Sequence, residues 1–276
     1  MFRLWFTFSA AILLVGSTSL AAQAGQSAIR YRPEQLHCSR FLESSESRIL
    51  TQSGRHDREQ TSGRTGVWQF RATSADGGLM LEGWLDSLIV WRQSEEATIR
   101  PDTDGLLGGR YRGRLGLDGA YSSLAQPFIP DEVAEVAGMG TALDDFFPPL
   151  PSRPLHPGEA WSGSPGVTIR RLADSALSGV PLYRFHLQVR KESREGDTVR
   201  DTVPLELHQV SRETGTFVWH PLLGLLTRER NIVVETTVPA GGPVRQAVRS
   251  RIQQQIRVTR DLTSAGPPNC GTPPSN

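Results

Sequence analysis

Tyr183-Arg184-Phe185-His186-Leu187-Gln188-Val189-Arg190 is the stretch that decides the fold class. Apolar and polar side chains alternate along it, the period-two pattern of a strand with one buried and one wet face. The same rule carries Val203, Leu205 and Leu207, after a polar turn expected over residues 191–197. Glu213-Thr214-Gly215 reads as a turn into a strand over 216–220, residues 221–224 as another turn, and 226–238 as the returning strand. After a turn at 239–243, Val248, Ile252, Ile256 and Val258 alternate with Arg249, Arg251 and Arg257. Arg228 and Arg230 share a strand face with Leu226 and Ile232, so part of the interior is expected to be polar, or the strand bulged.

Working towards the N-terminus, Trp68, Phe70 and Ala72 alternate with Val67, Gln69 and Arg71, Asp76-Gly77-Gly78 supplies a hairpin turn, and 79–91 reads as one long strand or two. Tyr111, Gly113, Leu115 and Leu117 alternate with three arginines before Asp118-Gly119 turns the chain. Residues 25–65 are polar, with a strand expected near 47–51 and a mobile hairpin tip or loop over 53–66. One segment breaks the rhythm. Val133, Val136, Ala137, Leu143 and Phe146 recur at helical spacing over 131–147, behind Pro130 and an acidic first turn, and Gly138 and Gly140 predict a kink or split. The fold class expected is mainly β: a large curved antiparallel sheet, half-barrel or open barrel, with one covering helix near 131–147.

The N-terminus has Arg3, an apolar run from residue 4 to 20 that is shorter than the ~20 residues a membrane span needs, and Ala22-Gln23-Ala24. That order predicts a cleaved signal peptide over 1–24, a single β-rich domain over 25–276 with a flexible tail over 262–276, and a periplasmic or extracellular location. Loss of Arg3 takes the formal net charge from +1 to zero, so no nucleic-acid partner is expected. Cys38 and Cys270 are the two cysteines and, in an oxidising compartment, are expected to pair.

The strand series over 182–258, with the covering helix ending in Phe146-Phe147-Pro148-Pro149, resembles the periplasmic half-barrel carriers of the lipoprotein-localisation (LolA/LolB-like) group. The resemblance implies an open sheet that shelters acyl chains on its concave face. It transfers no individual site residue.

Motifs for catalysis are missing: no G-x-S-x-G elbow, no H-E-x-x-H, no P-loop and no dinucleotide fingerprint. Lys191 is the sole lysine. A turn at 213–215 would place His208 opposite His220, a structural pair without the third ligand a metal needs. No catalytic residue, metal or cofactor is therefore assigned. The expectation is a non-catalytic exported carrier or binding protein for an apolar ligand such as a lipid. Its ligand-lining residues would be Tyr183, Phe185, Leu187, Leu205, Leu207, Phe217, Trp219, Ile252, Ile256 and Phe146. A ribbon of Arg245, Arg249, Arg251 and Arg257, continued by Arg260, would meet an anionic membrane surface or acidic partner. The alternative is a carbohydrate-binding or structural β module, for which Trp84 between Glu82 and Asp86 would be the platform. Oligomeric state is not legible.

Overall fold

The computed structural model describes residues 28–54, 56–199, 203–240 and 246–263. Thirteen strands pair into one open antiparallel sheet. They are β1 (Ser39–Ser53), β2 (His56–Ala75), β3 (Gly78–Ser94), β4 (Thr98–Ile99), β5 (Tyr111–Gly116) and β6 (Tyr121–Ala125), then β7 (Ala160–Ser162), β8 (Val167–Arg171), β9 (Ser175–Leu177), β10 (Val180–Val199), β11 (Val203–His220), β12 (Gly224–Val238) and β13 (Val248–Arg260). Their order is β6-β5-β3-β2-β1-β13-β12-β11-β10-β8-β7, with β4 beside β3 and β9 beside β10. The first and last strands pair at the centre, so the chain runs out to one edge through β6 and returns from the other edge at β7. The link between those edges has to cross the sheet, and this is why one segment covers its inner face.

That covering segment begins with α2 (Asp131–Ala137), following the short α1 (Pro33–Leu36) at the N-terminus. The helix expected over 131–147 is split: α2 ends at Gly138, whose φ of 56° is left-handed, and a 3-10 turn, Met139–Thr141, follows. Val133, Met139, Leu143, Phe146 and Phe147 from this segment are at most 3% exposed. Phe146 meets the rings of Phe41, Trp68, Phe70 and Phe147 at centroid distances of 5.1–6.1 Å. Tyr31 adds edge-to-face contacts with Trp219 and Phe147 at 5.0 and 5.5 Å. Such ring pairs contribute beyond their buried area, so the segment is a packed part of the core.

Three local expectations are corrected. Residues 53–66 are a hairpin, but not a long tip or loop: the chain turns directly after Ser53, and His56 onward belongs to β2 and pairs with β1. Residues 191–197 are not a turn: β10 continues through them opposite β11, while β8 and β9 pair only with earlier parts of β10. Lys191, Glu192, Ser193 and Arg194 are all exposed, as a charged edge strand requires to avoid pairing with other chains. Residues 213–215 are not a turn either. Gly215 lies mid-strand between Leu187 and Arg230, and a Cβ there would come within 2.3 Å of the Glu229 carbonyl, so β12 passes too close for any larger residue.

Candidate binding surface on the inner face

The strand register divides the inner face into three levels. At the covered end the side chains are the aromatic and aliphatic core. Next comes a rung of directly paired residues, Arg64, Ser45, Ile256, Arg230 and Gly215, with Glu43 and Arg228 one step before it and Glu213 one step beyond. This level is a buried polar belt. Arg64 donates to Glu43 Oε1 through Nη2 and Nε (2.6 and 3.2 Å), and Trp68 Nε1 donates to Glu43 Oε2 at 2.7 Å. Across the sheet, Arg230 donates to both Glu213 oxygens (2.7 and 2.8 Å) and Arg228 to one (3.2 Å).

The belt also fixes the covering segment through its backbone. Arg64 Nη1 donates to Ala137 O at 2.5 Å, at the end of α2, where the helix leaves carbonyls unpaired. Arg228 and Arg230 donate to Asp145 O at 2.5 and 3.1 Å. Carbonyls eight residues apart are thus held by guanidinium groups from opposite halves of the sheet. Burial pushes the Glu213 carboxyl up, but the hydrogen bonds and charges of Arg230 and Arg228 outweigh it and leave the group below the ordinary glutamate value. Burial, joined by the charge of Arg230, lowers Arg228 to about 10.

Beyond the belt the inner face changes character. Successive rungs carry Gln60, Ile49, Ile252, Val234 and Ser211, then Arg58, Thr51, Ser250, Thr236 and Gln209. Ile49, Ile232, Val234, Val238, Val248, Ile252 and Ile256 are each half-buried. They make an aliphatic stripe along β1, β12 and β13 that starts at Ile256 in the belt and runs beyond it, bordered by hydroxyl and amide groups. Apolar area left partly in water on an inward-facing surface is the ordinary lining of a small-molecule site.

No protein-family model and no curated protein sequence matches this chain. Among solved structures, it is similar to an outer membrane lipoprotein-sorting protein domain from Vibrio parahaemolyticus (9% identity, 82% of this chain and 87% of that one, TM-score 0.20). It is also similar to a DUF1329 family protein from Desulfovibrio piger ATCC 29098 (9% identity, 80% and 86%, TM-score 0.18) and to MucB in complex with MucA(peri) (9% identity, 80% and 89%, TM-score 0.11). At these scores the overlaps carry no argument about ligand or partner. The open antiparallel half-barrel expected from the strand series is nevertheless the architecture that the pairing establishes.

The residues singled out from sequence separate into two groups. Phe146, Phe185, Leu187, Phe217 and Trp219 are at most 3% exposed and belong to the packed core, with Tyr183 against its rim. Leu207, Ile252 and Ile256 lie half-buried on the same face, with Ile256 in the belt and the other two beyond it. The side chain of Leu205 lies outside the described residues, as do Arg245, Cys270, residues 1–24 and the tail from 264, and a bond from Cys38 to Cys270 remains a proposal. Arg249, Arg251 and Arg257 are exposed on the outer face, where Arg257 pairs with Glu229 at 2.6 Å and Arg251 stands opposite Glu235. Arg260 is instead turned inward, donating to the carbonyls of Gln35 and Leu223.

Two further expectations fail on geometry. His208 and His220 lie on one strand and are not paired: His208 meets Glu192 at 3.1 Å, and His220 Nδ1 accepts the amides of Leu222 and Leu223. Trp84 is only 3% exposed, with the Arg110 guanidinium 3.9 Å above its ring, so it offers no platform for a sugar. Sequence reading missed Glu43, Arg64 and Tyr31 altogether. Glu43 and Arg64 each sit at an inward-facing strand position, and that parity is the signal by which they could be found.

Proposed function

We propose that the protein is an exported, non-catalytic carrier or binding protein that receives an apolar ligand, such as an acyl chain, on the inner face beyond the arginine belt. The supporting observation is the half-buried stripe of Ile49, Ile232, Val234, Ile252 and Ile256. Burial of a side chain of this size stabilises by about 1.5–3 kcal/mol, so a ligand that completes the burial of several draws on the main source of affinity available to it. The Arg64–Glu43 and Arg228–Arg230–Glu213 groups close the stripe at one end, because ions already matched to one another exclude an alkyl chain from the core level.

Titration with dansyl-undecanoic acid tests this reading. The wild-type protein is expected to give a saturable rise in dansyl emission, and Ile252→Lys or Val234→Lys should weaken binding about tenfold or more while leaving the circular dichroism unchanged, since each places a charge in the apolar seat. Undiminished binding by both variants, or no saturable signal from the wild type, would overturn it.

A further inference from the structure

The outer face of the sheet carries a second feature, independent of the inner stripe. In β3, Trp91 is directly paired with Gly63 of β2, and the rung continues through Glu46, Gln255 and Asn231 on β1, β13 and β12. A Cβ built on Gly63 would lie 2.7–2.8 Å from indole Cε2, Cζ2 and Nε1 alike. Three adjoining ring atoms at one distance mean that the indole lies flat on the glycine backbone. Gly63 therefore holds the ring parallel to the sheet, with its other face outward and a depression of about 510 Å³ beside it. The depression is lined by Trp91, Glu46, Gln255, Asn231 and the Arg257–Glu229 pair.

Some outer-face charges pair with one another: Arg48 with Glu59, Arg212 with Glu235, Arg257 with Glu229. Along the rung itself, Trp91 Nε1, the Glu46 carboxylate and the Gln255 and Asn231 amides make no hydrogen bond or ion pair among the described residues. With strands about 4.8 Å apart, the row from Trp91 to Asn231 spans about 19 Å.

We infer that this rung is a carbohydrate site, in which Trp91 stacks on the apolar face of one sugar ring and Glu46, Gln255 and Asn231 hydrogen-bond the hydroxyls of the rings beyond it. A flat aromatic ring presents a negative face to polarised C–H groups, and planar carboxylate and amide groups receive or donate paired hydroxyl bonds. The occupant has to be extended, because Trp91 and the polar groups follow one line across five strands.

The test is a titration of tryptophan fluorescence in the full chain with tetrasaccharides of β-1,4-linked glucose and of β-1,4-linked N-acetylglucosamine. At least one is expected to give a saturable shift in the wild type and in Trp161→Phe, whose ring lies on the distant β7. Trp91→Ala should weaken binding about thirtyfold, as for an aromatic residue that carries much of a contact. The exposed double variant Asn231→Ala/Gln255→Ala, read by calorimetry with circular dichroism as the folding control, should weaken it about tenfold and decides the matter if Trp91→Ala does not fold. Absence of a saturable change with both sugars at millimolar concentration, or binding undiminished by these substitutions, overturns the proposal.

Discussion

Glu213→Ala is expected to lower the unfolding free energy by about 3–5 kcal/mol, roughly a fifth or more of the stability of an ordinary domain, read as a lower urea midpoint at unchanged slope. The carboxylate is 9% exposed and faces Arg228 and Arg230, which are 3% and 7% exposed. Its removal strands two guanidinium groups in the interior, one of which already has its Nε without a partner. Replacing all three with Leu, Met and Leu should recover most of the loss, because a buried ion cluster exchanged for apolar groups of similar volume is often neutral. Acid has a related effect. Since the folded carboxyl titrates below its unfolded value of 4.5, its contribution is complete above that pH and is lost as pH falls through the depressed folded value. The pH dependence should flatten in Glu213→Gln. An Ala variant as stable as wild type would show that the cluster is not buried as described.

Phe146→Ala should cost a similar amount, about 3–5 kcal/mol, through the cavity left among Phe41, Trp68, Phe70 and Phe147. The loss should also be local. With Phe146 gone, the covering segment keeps its guanidinium bonds at Ala137 O and Asp145 O and the burial of its other core side chains but loses its largest ring cluster, so limited proteolysis is expected to cut near residues 138–141 before global unfolding. A loss below about 1 kcal/mol, with no new cleavage, would mean that the segment rests on the sheet without packing into it.

The sequence was most readable where one strand face meets the core and the other meets water. Tyr183 to Arg190 fits that condition, and its alternation gave the correct faces. Lys191 to Arg194 continues the same strand, but it is an edge with solvent on both sides, so the pattern vanishes and the residues look like a turn. Glu213-Thr214-Gly215 misled for a different reason: a buried acid and a glycine demanded by a neighbouring strand have the composition of a loop. Arg228 and Arg230 were legible as interior polar groups because they interrupt an apolar face. Their partner Glu213, and the Arg64–Glu43 pair, depend on the register of the β11–β12 and β1–β2 hairpins, which is hidden where 213–215 and 53–66 read as turn or loop. Trp84 shows the same limit, since only the fold brings Arg110 over its ring.

Native mass spectrometry of the protein, purified without detergent from its host, tests the central claim most directly. A bound apolar molecule is the predicted result, seen as a discrete mass added to the wild-type chain and absent from Ile252→Lys. A wild-type spectrum containing the bare chain alone, or an adduct that persists unchanged in Ile252→Lys, would contradict an apolar ligand on the inner face.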